Sequence, residues 1–321
     1  MKNIQIARRA SAVLYDFLKS TSLPKQVYLL PANICPVVPA VFCKLNIAFK
    51  FVDISLSTYC IDWEACLKIA KEDTDNKYNL LYVHSYGYVD PVFNQHLKKW
   101  KEQLPDSIVI DDRCLIEPSL KKQNALSDIE LYSTGYSKLL EIGHTGWAIY
   151  NTKPKEVSWS NYNDAQHDAL VKSFHDAFEV KEKVIFDFSS EWLDERSTEV
   201  CSDDILKKIE EKLTQSLIRR LTLNEIYTEH LKEWAMPSQY NKWRFNILTP
   251  HAAKLMRTIF NESHFASRHY QSVAIMFGQK EVLNASLVGN QIVNLFNDYR
   301  YDEQRAEALA ILIKKQLSTN L

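Results

Sequence analysis

The sequence predicts an α/β protein in which helices flank a mainly parallel sheet, followed by a smaller C-terminal α+β domain. Within the first 150 residues, short and nearly continuous apolar runs alternate with amphipathic stretches, a pattern typical of buried parallel strands joined by helices. A long amphipathic helix with Ile205, Ile209 and Leu213 on one face then opens a second region. The chain has 321 residues, 46% of them apolar, which is enough for two domains, and we place these at residues 1–200 and 201–321.

Hydrophobic periodicity gives the elements in chain order. Apolar residues at helical spacing predict a first helix over residues 4–19. Between residues 152 and 203 the pattern weakens, and we expect an irregular connection with helical pieces there. Strands are predicted over residues 26–31, 48–54, 79–86, 107–111, 129–133, 145–150 and 243–248, and further helices over 36–45, 61–72, 95–103, 205–234 and 302–317.

The composition argues against several function classes. The formal net charge is −1, which gives no electrostatic reason to expect nucleic acid or an anionic membrane as a partner. The six glycines cannot form a G-x-G-x-x-G or P-loop motif. No apolar stretch of about 18 residues and no secretory signal is visible. The cysteines and histidines do not have zinc spacing, so we expect a cytoplasmic protein with reduced cysteines and no metal.

The segment IELYSTGYSKLLEIGHTG, residues 129–146, carries the first candidate site. A predicted strand ends at Ser133, a loop follows, and Lys138 lies on that loop. Pyridoxal-phosphate (PLP) chemistry needs a lysine held on a short loop beside a rigid sheet, because its amine forms a Schiff base with the cofactor aldehyde. A nearby hydroxyl such as that of Ser133 can bind the phosphate. The alternative is a solvated loop lysine, which is the commoner situation for a lysine taken alone.

The second candidate site is the strand SIVIDDRCL, residues 107–115, which carries two carboxylates near its end. Buried anions are costly unless they are paired, so these two require an explanation. A PLP enzyme needs one acid beside the pyridine nitrogen, where it keeps the ring protonated and able to withdraw electrons. We choose Asp112 for this role and expect Asp111 to point to the opposite face of the strand. The alternative is an aspartate that caps the strand end or a turn.

The third candidate lies in RASAVL, residues 9–14, within the first predicted helix. Ser11, together with the backbone amides of Ser11 and Ala12, is placed to bind the cofactor phosphate at a helix N-terminus. The alternative is a small residue on an ordinary helix face.

Taken in order, these segments resemble the sugar aminotransferase family named after the DegT, DnrJ, EryC1 and StrS proteins, PLP-dependent enzymes of the aspartate-aminotransferase fold. The likeness covers residues 8–150 well and residues 205–318 more loosely. VIDDRC resembles the family's V-I-E-D-A-A, YSTGYSK resembles F-S-F-H-P-x-K, and VHSYG resembles V-H-x-Y-G. The resemblance implies that Asp112 binds the pyridine nitrogen, that Ser133 binds the phosphate, and that Lys138 carries PLP as the internal aldimine.

The chain departs from the family pattern at several positions. The phosphate loop S-G-T-A-A-L is here RASAVL, so Ala10 replaces its glycine and Ser11 its threonine. The aromatic residue that stacks on the cofactor ring falls near Cys35, and the Gln or His that follows D-A-A falls on Leu115. The N-x-R segment and an early N-terminal substrate segment have no counterpart that we identify.

The resemblance implies a PLP-dependent aminotransferase that uses a small-molecule amino donor and a keto acceptor and works as a homodimer. The acceptor would be a (nucleotide-)sugar or a related keto compound of polysaccharide or secondary-metabolite biosynthesis. We expect residues 159–162, Trp192 and Arg244 to replace the missing segments around the acceptor. We also expect burial, together with the positive charge of the cofactor, to lower the pKa of Lys138. Two alternatives stay open: a catalytically degenerate family member that acts as a binding or scaffold protein, and another PLP reaction such as a lyase or decarboxylase.

Overall fold

The first half of the chain forms a seven-stranded, mainly parallel sheet. The computed structural model describes residues 3–143, 145–152, 161–194 and 201–319. The strands are β1 (Ile4–Ala7), β2 (Gln26–Pro31), β3 (Ala48–Val52), β4 (Lys77–Val83), β5 (Val109–Asp112), β6 (Ile129–Ser133) and β7 (Gly146–Tyr150). They lie in the order β1-β7-β6-β5-β4-β2-β3, with β7 antiparallel to both of its neighbours and the other pairs parallel. The predicted α/β architecture is therefore confirmed.

Helices cover both faces of this sheet, as the two faces of β4 illustrate. Leu81 and Val83 pack into the same apolar cluster as the first, second and fifth helices, whereas Leu80 and Tyr82 pack with the third and fourth. Successive side chains of a strand point to opposite faces, so both faces of β4 are buried. The helices are α1 (Ala10–Thr21), α2 (Val37–Lys44), α3 (Trp63–Glu72), α4 (Phe93–Gln103) and α5 (Asp164–Val180).

The last third of the chain forms a smaller α+β unit with a three-stranded antiparallel sheet of order β8-β10-β9, where β8 is Phe245–Leu248, β9 is Ala266–Ser267 and β10 is Ile292–Leu295. Its helices are α6 (Ser202–Leu231), α7 (Ala252–Asn261), α8 (Leu283–Gln291) and α9 (Glu303–Ser318).

Helix α6 contributes to the packing of both units. Ile205 and Ile209, near its start, pack against Tyr132 and Trp147 of the large sheet. Leu223, nearer its end, belongs to the core of the smaller unit. The expected domain boundary between residues 200 and 201 adjoins residues outside the described ranges and stays a prediction.

One predicted element was wrong. The segment expected as one helix over residues 4–19 is a short strand, β1, followed by α1. The apolar residues of Ile4–Ala7 pair antiparallel with β7, and this partner lies far along the chain, so local spacing could not reveal it. Helix α5 is one of the helical pieces expected between residues 152 and 203. Its first turn is capped by the side chain of Asn163, which accepts from the amides of Ala165 and Gln166.

The large sheet has one edge at which the parallel strands β2, β4, β5 and β6 all end. In such sheets, ligands bind outside the carboxyl ends of the strands. Within the described ranges, no helix combines the length and the apolar character needed to cross a membrane.

Candidate active site

A cavity of about 310 Å³ lies at this carboxyl edge, at the lower end of the range of roughly 300–1,000 Å³ typical of small-molecule sites. Its lining includes Lys138, Asp112, Ser133 and Ser11. The structure thus brings four of the five sequence-predicted site residues together. Ala12 is not among the lining residues, and its amide already donates to the carbonyl oxygen of Arg9 at 3.2 Å. The expected contribution of the Ala12 amide therefore finds no support in this geometry.

Asp112, the last residue of β5, faces the cavity with only 8% of its surface exposed. One carboxylate oxygen, Oδ1, accepts from the amide of Cys114 at 3.0 Å, which orients the side chain. Asp111 is fully buried on the other side of the strand, where its two oxygens accept from His84 Nε2 at 2.9 Å and from Arg113 Nε at 2.8 Å. Only Asp112 is therefore available to a ligand in the cavity.

Lys138 reaches the cavity from the loop between β6 and β7. Among the described residues, its side-chain amine has no hydrogen-bond or ion-pair partner, although its backbone amide donates to Gly135 O at 3.4 Å. An amine that lines a cavity and has no protein partner is positioned to react with a ligand.

The surroundings of Lys138 decide its charge before any ligand binds. Burial alone would lower the pKa of its amine, but the facing Tyr270, Cys114, Cys35 and Asp112 outweigh burial and hold that pKa above its ordinary value. Burial raises the pKa of the Tyr270 phenol and of both thiols, so these three groups are neutral at pH 7. The pKa of Lys138 is therefore raised in the protein without a ligand, and the expected lowering by burial and the cofactor's charge stays a prediction for the cofactor-bound protein.

The loop that carries Lys138 is anchored by an arginine of α6. Arg220 is buried and donates from Nη2 to the carbonyl oxygen of Lys138 at 3.2 Å. It also donates from Nε and Nη2 to the carbonyl oxygen of Leu139 at 3.2 and 2.8 Å. Its Nη1 donates to Trp243 O at 2.6 Å and to Asn297 Oδ1. One guanidinium thus ties the lysine loop to the smaller unit.

Ser137, the residue before Lys138, is held by three further groups, and a fourth supports one of them. The indole of Trp243 donates to Ser137 O at 2.7 Å, and Arg244 Nη2 donates to its hydroxyl at 2.5 Å. The Ser137 amide donates to Glu141 Oε1 at 2.7 Å, and Arg300 binds both oxygens of Glu141 at 2.8 and 2.9 Å. Ser137 has a φ of 64°, a left-handed conformation uncommon for serine, which these contacts support. The loop backbone is therefore rigidly placed.

One part of the cavity wall is formed by the start of α1 with Ser11 and by the end of β6 with Ser133. Among the described residues no side chain caps α1, so the amides that precede Ala12 are available to an anion. Gly146 of β7 lies against this turn, and a β-carbon there would come within 2.0 Å of the Ala10 amide nitrogen. Glycine at position 146 is thus what allows the helix start to sit beside the two serines.

Sequence reasoning missed Arg8 and Arg9, which line this part of the cavity, and Tyr270, which lines the cavity from the smaller unit. Arg9 Nη1 lies 3.3 Å from His167 Nε2 on α5, a contact between residues 158 positions apart. No local pattern signals such a pair. Tyr270 stacks on Trp243 with ring centroids 5.9 Å apart.

Two of the residues expected around the acceptor do not line the cavity. Trp192 and Arg244 are both buried and do not line the cavity. Trp192 donates its indole N–H to Phe188 O at 2.9 Å, so it serves packing. Arg244 holds the lysine loop through Ser137, as described above. Trp159 lies outside the described residues.

The middle of the cavity is mostly apolar. Cys35, Val83 and Leu115 line it, and burial raises the pKa of the Cys35 thiol, which therefore stays uncharged. One polar atom has no partner: the buried Asn33 Oδ1 accepts no hydrogen bond within the part of the chain that the structure describes. Such an orphaned acceptor at the cavity wall marks a position where a ligand donor would be stabilised. No group of three His, Cys, Asp or Glu side chains among the described residues is arranged to hold a metal ion.

Comparison with solved structures identifies the fold. A DegT DnrJ EryC1 StrS aminotransferase from Brucella abortus is 14% identical to the chain, with 98% of this chain and 85% of that one covered and a TM-score of 0.70. NtdA from Bacillus subtilis with bound cofactor PMP is 18% identical over 98% of this chain and 73% of that one, with a TM-score of 0.64. DesI in the presence of its TDP-sugar product is 13% identical over 99% and 82%, with a TM-score of 0.69. No family model and no curated protein sequence matches the chain. The chain therefore has the fold of these aminotransferases.

Proposed function

We propose that the protein is a PLP-dependent aminotransferase that transfers an amino group from a small-molecule donor to a keto acceptor. The observation that carries the proposal is the convergence of Lys138, Asp112, Ser133 and Ser11 in one cavity at the carboxyl edge of the sheet. These residues supply an amine, a carboxylate and two hydroxyls, the groups that PLP requires. Two structural neighbours with this fold, one described as an aminotransferase and one determined with bound PMP, support the same reaction.

The cavity fits the cofactor in three respects. Its amine and its single lining carboxylate, Lys138 and Asp112, belong to different segments, as the reactive carbon and the pyridine nitrogen of one ring require. One part of its wall has an uncapped helix start beside two serines, which suits a phosphate. Gly146 leaves room for that arrangement. We propose that Lys138 and Asp112 are catalytic and that Ser133 and Ser11 bind the phosphate.

When bound, PLP withdraws electrons from the carbon that carries the migrating amino group. The Asp112 carboxylate would hold a proton on the pyridine nitrogen. Paired there, Asp112 would no longer favour the Lys138 ammonium, and the amine would release its proton more readily. The neutral amine Nζ would then take a proton from the donor carbon and return it at the neighbouring position, which is general acid–base catalysis. Arg220 and the groups that hold Ser137 keep this amine in place.

We propose a (nucleotide-)sugar or a related keto compound of polysaccharide or secondary-metabolite biosynthesis as the acceptor. The support is the likeness to DesI, whose structure was determined with its TDP-sugar product. The middle of the cavity is apolar at Cys35 and Leu115, where the resembled family has an aromatic residue and a Gln or His, so its acceptor contacts differ from the family pattern. The proposal includes a homodimer in the cytoplasm. All six cysteines are free, which agrees with a reducing compartment.

The decisive experiment follows the spectrum of the purified protein with PLP and then with glutamate. An aminotransferase develops a visible absorbance band that borohydride removes, and an amino donor alone converts the cofactor to its PMP form. Release of carbon dioxide or loss of a substituent from the donor, without PMP, would indicate the lyase or decarboxylase alternative. No band at any PLP concentration would indicate the degenerate, non-catalytic alternative.

A further inference from the structure

The charged side chains that line the cavity include more cations than carboxylates. Arg8, Arg9 and Lys138 are cations, and Asp112 is the only carboxylate of the described lining. Arg8 and Arg9 lie in the part of the wall formed by the start of α1, so the surplus positive charge is concentrated there. A surplus of this kind raises the affinity for an anionic ligand.

Of these two arginines, Arg9 is better placed to bind an anion in the cavity. Arg8 is exposed to solvent, which screens its charge, whereas Arg9 is only partly exposed. Within the described ranges, no carboxylate lies within ion-pair distance of Arg9, and its guanidinium has one side-chain partner, His167. A partly buried guanidinium without a carboxylate has donors left for another anion.

The two contacts of His167 determine which of its ring nitrogens carries the proton, and so which one accepts from Arg9. His167 Nδ1 lies 3.2 Å from the carbonyl oxygen of Trp192, which can only accept, so Nδ1 carries the proton and donates. His167 Nε2 then has a lone pair and accepts from Arg9 Nη1 at 3.3 Å. The ring is therefore neutral, and it orients the guanidinium without neutralising it.

We propose that Arg9, oriented by neutral His167, binds the phosphate of the cofactor together with Ser11, Ser133 and the start of α1. This inference rests on the proposed function. The guanidinium is a planar, always charged donor that pairs two N–H groups with two phosphate oxygens. Arg9 occupies the place where the resembled phosphate loop S-G-T-A-A-L has a serine, so this contact is a feature of this chain. The added charge offsets the replacement of the loop glycine by Ala10.

The test compares PLP with pyridoxal, which lacks the phosphate, in binding to the cofactor-free protein. Dissociation constants are measured by absorbance and tryptophan fluorescence, without turnover. We expect Arg9→Gln to weaken PLP binding about 10- to 100-fold and to leave pyridoxal binding unchanged, because only PLP presents the phosphate. Arg257→Gln, the same substitution at an exposed arginine of α7, should change neither constant. Equal weakening of PLP and pyridoxal, or weakening of neither, would overturn the inference.

His167 variants test the orientation step. His167→Gln keeps an acceptor for Arg9 and should retain most of the PLP affinity, whereas His167→Leu removes it and should weaken PLP but not pyridoxal. Identical behaviour of the two variants would contradict the role of His167. If Arg9→Gln is poorly folded by circular dichroism, Arg9→Lys serves instead, with an intermediate loss expected because ammonium cannot pair with two oxygens at once.

Titration with inorganic phosphate separates this inference from the proposed function. If the wild-type protein fails to bind PLP, the proposed function fails. In that case, phosphate binding that calorimetry detects in the wild type and not in Arg9→Gln would still support the anion site. Absence of phosphate binding, or binding that Arg9→Gln leaves intact, would count against Arg9 whatever PLP does.

Discussion

Asp111 and Asp112 are consecutive residues of one strand whose carboxylates lie on opposite sides of it. Asp111 is fully buried and joined to His84 and Arg113, whereas Asp112 lines the cavity that Lys138 enters. The alternation of side chains along a strand imposes this division. One carboxylate therefore stabilises the fold and the other is available for chemistry.

The two aspartates should respond differently to the same substitution. Asp112→Asn should keep the stability of the wild type, weaken PLP binding about 10- to 100-fold and reduce turnover further, because an amide cannot keep the ring nitrogen protonated. Asp111→Asn should affect turnover much less but lower the free energy of unfolding by about 3 kcal/mol, since Arg113 loses its buried counter-charge. Urea denaturation and steady-state kinetics measure both effects. The reverse ranking in turnover would assign the role to the other aspartate.

Replacing the lysine should separate cofactor attachment from folding. Lys138→Ala should abolish the borohydride-sensitive absorbance band while the chain still folds, with a loss of about 1–3 kcal/mol in the free energy of unfolding because the surroundings favour the Lys138 ammonium. Lys121→Ala, at an exposed lysine, is the control and should keep the band. Peptide mapping after borohydride reduction should find the cofactor on Lys138; covalent cofactor on another lysine refutes the assignment.

Gly146→Ala tests the close approach of β7 to the start of α1. The new β-carbon would come within 2.0 Å of the Ala10 amide nitrogen, so the helix start must move. We expect a loss of about 1–3 kcal/mol in unfolding free energy and weaker PLP binding, with pyridoxal affected less. Gly135→Ala, where the nearest atom would be 3.7 Å away, should stay within about 0.5 kcal/mol of the wild type. Equal stability of the two variants would contradict the tight contact.

Arg220 should prove far more important than the arginine beside it. Arg220→Met leaves the buried carbonyl oxygens of Lys138, Leu139 and Trp243 without this donor, at a cost of about 1–3 kcal/mol for each one left unpaired. Arg219→Met loses one hydrogen bond from a partly exposed side chain and should cost about 1 kcal/mol. Thermal and urea unfolding compare the two variants. Similar losses would mean that Arg220 does not anchor the lysine loop.

Acid should destabilise the wild-type protein more than His167→Gln. Burial, and then the charge of Arg9, lowers the pKa of His167 from its ordinary value of 6.5. The unfolded chain therefore takes up a proton at this residue before the folded protein does. The stabilising contribution is complete above pH 6.5 and is lost as the pH falls through the folded-state pKa. Between about pH 7.5 and about pH 5, the urea concentration at the unfolding midpoint should fall further for the wild type than for His167→Gln. An equal fall in the two proteins would contradict the lowered pKa of His167.

Local sequence signals account for the strands and site residues that were predicted correctly. The strands β2 and β6 were predicted with their observed ends, because continuous apolar runs bounded by polar residues mark buried strands. Lys138 and Asp112 were selected because each follows or ends such a strand, and the structure brings both to one cavity. Whether they carry the proposed roles stays a prediction.

The features that escaped prediction depend on partners distant in the sequence. β1 exists because it pairs with β7, and the Arg9–His167 contact joins residues 158 positions apart. The pKa of Lys138 is raised in the protein without a ligand because side chains from distant segments, Tyr270 first among them, face its amine. Such effects arise from the tertiary arrangement, which spacing along the chain does not encode directly.

The anchoring of the lysine loop also bears on the order of events during synthesis. The carbonyl oxygen of Lys138 bonds to a residue 82 positions later, and the Ser137 hydroxyl bonds to one 107 positions later. Because the ribosome releases the N-terminal part first, the large sheet can form while these partners are still unmade. The loop acquires its final shape only when the smaller unit emerges and docks. On the proposed function, attachment of PLP to Lys138 is thus a late event, and a nascent or truncated chain lacking Arg220 and Arg244 would leave the cofactor uncaptured.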